Sequence, residues 1–276
     1  MTDQQNSIRT AIWHEEPEPD NPYAAAASYC SGYDVYGDLL GKVSWVQYLY
    51  LLFRLELPDP RQARLLEALS VALANPGIRD PSVQAAMNAG ACGSTRASAL
   101  MAAMAVGAGS LGGGQDLYHA LRLWQRLGPE LSAWLDAITA PAAEEEDSWQ
   151  PLEHFPGFDP NGASCPTPLR QTLAVLVDIY PGGALQWLAD NRDALERELG
   201  YPLGWAGLSA AAFHDLGFDA AQGEILYLLL RLPGAAAHAV EQEQYGWRHF
   251  PFFRSALKPM DRDSYSQLLT SIERAP

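Results

Sequence analysis

A helix cap followed by a leucine stripe constrains this chain more than any other feature. Asp59-Pro60 sets a capping carboxylate before a proline at the first helical position, where the missing N–H costs nothing. Leu65, Leu66, Leu69 and Leu73 then recur at helical spacing, so one face must be buried, and Asn75-Pro76-Gly77 ends the run. Similar signals recur along the chain. Ser44 caps a helix through Trp45, Tyr48, Leu49, Leu52 and Phe53; Thr167-Pro168 opens another; Pro181-Gly182-Gly183 separates it from one ending at Gly200. Helices over 208–216 and 220–232 follow, Pro233 opens or kinks the next as far as Tyr245, and a last helix covers 264–274. Residues 8–20, rich in proline and acid, read as extended chain. No stretch alternates with period two between hairpin turns, so the expected fold is all-α.

Two segments add detail. Residues 94–109 are mostly Ala, Gly, Ser and Met; with Leu100, Met101, Met104 and Val106 they leave no polar face, which places this helix at the centre of the molecule. Residues 116–138 are expected as one long helix carrying Trp124 and Trp134. The sharpest change of composition is at 140–150, where Pro141 and the run Glu144, Glu145, Glu146, Asp147 read as a solvated linker.

Charge narrows the function. The formal net charge is −15, and Lys42 and Lys258 are the only lysines among 276 residues. Such a chain is a poor partner for nucleic acid or an anionic membrane, both of which need a basic surface. The start is polar with no apolar leader-like run, no apolar stretch approaches the ~18 residues of a spanning helix, and a cytoplasmic location is expected. Cys30, Cys92 and Cys165 read as free thiols, and the six histidines show no metal-ligand spacing, so no metal is expected.

Four collinear stretches carry a family resemblance. The first is Gly32-Tyr33-Asp34 through Leu39-Leu40-Gly41-Lys42-Val43-Ser44, and the second is Gly109-Ser110-Leu111-Gly112-Gly113-Gly114. The third is Pro156-Gly157-Phe158-Asp159-Pro160. The fourth runs from Pro202 through Gly207 to Gly217, then Leu230-Arg231-Leu232-Pro233-Gly234 and His238. Together they resemble the citrate synthase superfamily, most closely its short citryl-CoA lyase-like branch. The resemblance implies an all-α citrate synthase-like fold, with a large helical domain and a smaller helical one, in a homodimer or in a heterodimer with an intact paralogue. On that frame, 1–20 is an extended N-terminal segment and 21–140 the first part of the large domain. An acidic hinge covers 141–156, the small domain 157–245, and 246–276 returns to the large domain.

The family's chemistry implies what the site should contain. An aspartate takes a proton from the α-carbon of an acyl-CoA, one histidine hydrogen-bonds the forming enolate, another polarises the acceptor ketone, and arginines clamp carboxylates. A weakly acidic carbon needs a placed base, and a developing oxyanion needs preorganised donors. At the matching positions stand Gly112, Pro160 and Ala206, none of which can move a proton through its side chain. Arg231, Arg170 and Arg248 resemble the carboxylate clamp. Asp159 and His154 are candidate replacements for the lost proton-transfer groups; His119, His249, Gln115, Asn161 and Cys165 are further candidates, and Asp116 reads as a helix cap. The expectation is a degenerate active site: a non-catalytic homologue or regulatory subunit that binds a polycarboxylate or a coenzyme A ester and holds no permanent cofactor. The alternative is a divergent acyltransferase or C–C lyase that uses replacement residues on an acyl-CoA.

Overall fold

The computed structural model describes residues 10–140 and 152–252. Part of the expected 141–156 linker, the expected 264–274 helix and most of the 246–276 return segment therefore lie outside the described residues.

The chain opens with a feature that was not expected, a three-stranded antiparallel sheet of β1 (His14–Glu18), β2 (Asn21–Cys30) and β3 (Tyr33–Asp34), in that order. Every residue of β1 is exposed, so the strand has no buried face to impose period-two alternation and leaves no pattern to read. Pro17 sits at a register shift on this edge strand, where its lack of an N–H is tolerated. Ser31 and Gly32, both at positive φ (50° and 86°), make the tight turn from β2 to β3.

The helices follow largely as expected. Ser44 caps α1 (Trp45–Arg54) in a reciprocal box with Gln47, and Asp59 caps α2 (Pro60–Leu73), accepting from Arg61 N at 2.7 Å and Gln62 N at 2.9 Å. After α2 comes α3 (Pro81–Ala91), which was not expected, with Asp80 as its cap. Next is α4 (Arg96–Gly107). It buries only the narrow stripe Ala99, Ala103 and Gly107, while Met101 and Val106 face solvent at 62% and 45% exposure. The central small-residue helix is instead α9 (Trp205–Asp215), buried continuously from Ala206 to Phe213. Composition alone could not separate the two, because an alanine-rich helix suits an interior and an unpaired face equally well.

The expected helix over 116–138 is two helices, α5 (Gly114–Leu127) and α6 (Leu131–Thr139), broken at Gly128, where φ is 56°. Trp134 Nε1 donates to Gly128 O at 2.8 Å, and the turn packs Trp134 edge-on against Trp124 with ring centroids 4.8 Å apart. Then come α7 (Thr167–Ile179), α8 (Ala184–Leu199) and, after α9, α10 (Ala220–Tyr245). Pro233 neither opens nor ends a helix: α10 runs through it unbroken. There the N–H of Gly234 donates to Ala74 O at 2.6 Å, fixing α10 to the end of α2.

Stripes from α2, α5, α7, α8 and α9 and the first half of α10 share one core. A second, smaller core of Val83, Ala86, Met87, Ala99, Ala103, Ala235 and Ala239 joins α3, α4 and the far half of α10. Cys30, Leu39 and Leu51 form a third beneath the sheet. Among the described residues no helix is long and apolar enough to cross a membrane.

Candidate functional site

The last three of the four stretches meet in space, and one side chain ties two of them together. Asp116, at the start of α5, is 2% exposed. Its Oδ1 accepts from Gly157 N at 2.7 Å and its Oδ2 from Gly112 N at 3.2 Å. The expectation of a helix cap is thus corrected: Gly113 is the cap residue, and the Asp116 carboxylate joins the 109–114 loop to the 156–160 loop. Gly157 O accepts in turn from Gly204 N at 2.9 Å, just before α9. Gly157, at φ 86°, lies so close to Gly207 that a Cβ on it would sit 2.7 Å from the Gly207 Cα, so a side chain here would force the loop off α9. Phe158 and Leu203 add an isolated β-bridge to the same junction.

Arg231 stands beside this junction on α10, 7% exposed. Its Nη1 donates to Gly112 O at 3.3 Å, its guanidinium lies 4.6 Å from the Tyr227 ring centroid, and its Nη2 pairs tightly with Asp80 Oδ2. Tyr227 also donates its hydroxyl to Gly112 O, at 3.1 Å. Burial pushes the Tyr227 phenol up to about 12; Asp116 and Asp80 push the same way and Arg231 opposes them, so it stays a donor across the physiological range. Asp80 caps α3 with its other oxygen, accepting from Ser82 N at 2.9 Å.

The three substituted positions lie on this frame. Gly112 is exposed in the left-handed region at φ 65°, Pro160 is exposed, and Ala206 is fully buried in the first turn of α9. Of the candidate replacements, His154 is half-buried with its side chain nearly enclosed and its Nε2 3.4 Å from Asp116 Oδ1, too poorly aligned to count as a hydrogen bond. Asp159 is exposed and receives Asn161 N at 3.0 Å.

The other two arginines do not join Arg231. Arg170 is exposed on α7, bonded to Thr167 Oγ1 at 3.0 Å, and α7 packs mainly on α2, α8 and α9. Arg248 is exposed and stacks 5.3 Å over its neighbour Trp247. Cys165 is buried against Arg192, and burial pushes its thiol up, opposite to what a nucleophile needs. His119 stacks edge-on with Tyr118, and His249 Nδ1 lies 2.9 Å from Tyr245 O.

No protein-family model matches the sequence, and no curated protein matches it either. Solved structures do. The citryl-CoA lyase of Hydrogenobacter thermophilus aligns over 93% of this chain and 98% of its own, at 23% identity and a TM-score of 0.64. The ATP citrate lyase of Methanosaeta concilii, solved with (3S)-citryl-CoA, aligns over 93% of this chain and 42% of its own (16% identity, TM-score 0.65). The Thermotoga maritima citrate synthase aligns over 79% and 59% (18% identity, TM-score 0.59). The chain shares the fold of these citryl-CoA lyase and citrate synthase structures.

The loops before α5 and before α9 and the turn at Pro156-Gly157 thus converge on one junction. Two participants were not foreseen. Tyr227 gave no signal beyond a place on an apolar helix face. Asp80 did: Asp80-Pro81 repeats the cap-and-proline signature of Asp59-Pro60.

Proposed function

We propose that this protein is a non-catalytic relative of the citrate synthase type, one that binds a carboxylate or a coenzyme A ester without carrying out proton transfer on it. One observation supports this above the rest. Three loops are hydrogen-bonded together at one junction, yet the positions on them that resemble the family's two histidines and aspartate hold Gly112, Pro160 and Ala206. Losing a general base costs ~10²–10⁴-fold and losing one oxyanion donor ~10²–10³-fold. A citryl-CoA lyase and an ATP citrate lyase solved with citrate and coenzyme A, both of this fold, favour that ligand class. Arg231 is the residue assigned to the carboxylate; Arg170 and Arg248 lie apart from it and join it only if a domain movement or a second subunit brings them in.

The same reading includes a large and a small helical domain hinged over 141–156, and a cytoplasmic dimer, either of identical chains or with an intact paralogue. The exposed apolar side chains of α4 supply a face for that contact.

The buried pair of His154 and Asp116 favours a second reading, an acyl-CoA-dependent C–C lyase or acyltransferase with this pair as its acid and base. Incubation with citryl-CoA while oxaloacetate is followed, and with acetyl-CoA plus oxaloacetate while free thiol is followed, separates the two. The first reading expects neither oxaloacetate nor thiol above background, together with a calorimetric binding signal for coenzyme A or citrate. Oxaloacetate or thiol formed with turnover would establish the second reading, and an absence of both turnover and binding would refute both.

A further inference from the structure

The side chain best suited to receive a ligand carboxylate already holds one. Arg231 is 7% exposed and is held by internal contacts: Asp80 on Nη2, Gly112 O on Nη1 at 3.3 Å, and the Tyr227 ring against its face. A guanidinium withdrawn this far from water needs an anion, and removing that anion leaves an uncompensated buried charge. Asp80 supplies it with one oxygen only. Its other oxygen caps α3 through Ser82 N at 2.9 Å and also accepts from the Ser82 hydroxyl. The two roles are therefore separable by substitution, since a serine or asparagine can cap a helix but carries no charge.

Beside the pair lies a small cavity of ≈ 10 Å3, at the lower limit for a single water, whose lining includes Ser82, Ala103, Met104, Gly107 and Leu232 along with Arg231. Its walls between α3, α4 and α10 are otherwise largely apolar, so Arg231 provides the charge there. The Asp80 carboxylate does not line this cavity but takes the neighbouring position on Nη2 of the guanidinium.

We propose that Asp80 occupies the seat of a ligand carboxylate, so that the protein carries a latent carboxylate site that is closed by its own side chain. This rests on the carboxylate-binding reading given above and adds how that binding is controlled. A small carboxylate, or one carboxylate of a larger acid, enters only when Asp80 swings off Arg231. The apparent dissociation constant is the intrinsic one divided by the open fraction; if the seat is open about 10% of the time or less, apparent affinity falls by about tenfold or more.

The test uses sodium acetate as probe, with sodium chloride at matched ionic strength as control. Melting temperature and acetate titration calorimetry are measured on wild type, Asp80→Ser, and Asp80→Ser combined with Arg231→Met. Expected is a lower melting point for Asp80→Ser that acetate restores at least halfway and chloride does not. Wild type should be unmoved, and so should the double variant, which has no guanidinium to serve. Acetate should bind Asp80→Ser at least about tenfold more tightly than wild type, the factor set by the closed fraction. Recovery that is equal in chloride, absent in acetate, or retained in the double variant would overturn the proposal. If Asp80→Ser does not fold, it is refolded with and without acetate and Asp80→Asn is melted in both salts. Acetate-dependent refolding or stabilisation supports the proposal, and failure of both variants to respond refutes it. The outcome is separate from that of the functional reading: wild type that ignores citrate and coenzyme A removes that reading, but acetate rescue of Asp80→Ser would still stand.

Discussion

Replacing Asp116 by alanine tests whether one carboxylate holds the loop junction together. The side chain is almost fully buried and accepts two backbone N–H groups, at 2.7 Å from Gly157 and 3.2 Å from Gly112, with His154 facing it at 3.4 Å. Hydrogen bonds to a charged group contribute about 1.5–3 kcal/mol each, and an orphaned buried donor loses its full desolvation. Gly157 is buried, so its share counts in full; Gly112 is exposed and can turn to water, so its longer bond counts for little. The expected loss for Asp116→Ala is therefore about 2–4 kcal/mol, a large part of the roughly 5–15 kcal/mol by which a domain is stable. In a chain of this size each 1 kcal/mol moves the melting point by about 2–4 °C, so the drop is about 4–16 °C. Asp116→Asn keeps one acceptor and should lose about half as much. Urea unfolding monitored by circular dichroism reads both variants, with exposed Asp136→Ala as a control expected within about 0.5 kcal/mol of wild type. If Asp116→Ala matches the Asp136 control, the junction is held by packing alone and the argument from the carboxylate is wrong.

Three further outcomes are expected. Gly112→His alone should restore no activity, because Ala206 still supplies no base, and at φ 65° any side chain there costs about 1–2 kcal/mol; a large rate gain in the thiol assay would mean a base is already in place. His214, stacked on Trp124, has its pKa lowered from 6.5 by burial, an effect Asp215 partly offsets. The unfolded chain thus binds its proton first, and stability must fall as pH drops below 6.5 toward the depressed folded value; His214→Phe should flatten that part of a melting-temperature profile, and an unchanged slope would refute it. Sedimentation at low micromolar concentration should give twice the 30.1 kDa chain mass, and Met101→Glu on the exposed face of α4 should shift it toward monomer; a wild-type monomer ends the dimer proposal.

Legibility in the sequence followed the range of the interaction. The cap of α2 and its leucine stripe are local and were readable, as were the stops at Pro181-Gly182-Gly183 and Gly200. Helix α3 has the same Asp-Pro opening but packs on alanines of α4 and α10 and shows no leucine stripe. The break at Gly128 depends on Trp134 reaching back, and the unbroken path of α10 through Pro233 goes with a partner for Gly234 N–H on α2. At the site, the glycines that let loops touch were visible as motifs. The pairing of Asp80 with Arg231 was not: 151 positions separate them, and only the folded chain brings α3 and α10 together.

The distribution of satisfied groups bears on which chemistry the cleft can support. Oxyanion stabilisation requires donors that are placed but unspent, aimed at a charge that forms only during reaction. Here Arg231 is spent on Asp80 and Gly112 O, Tyr227 on Gly112 O, and the N–H of Gly157 on Asp116. Among the described residues, the buried side-chain nitrogens and oxygens without a hydrogen bond are Ser31 Oγ, Arg54 Nε, His154 Nε2 and Ser209 Oγ, and of these only His154 belongs to the junction. A cleft whose polar groups already satisfy one another gains little by building charge and can admit a ligand only by exchanging contacts it has. Such exchange suits recognition of a carboxylate in competition with Asp80. At the junction the side chain left without a hydrogen bond is His154, facing Asp116, and it is on this pair that the second reading rests its proton transfer.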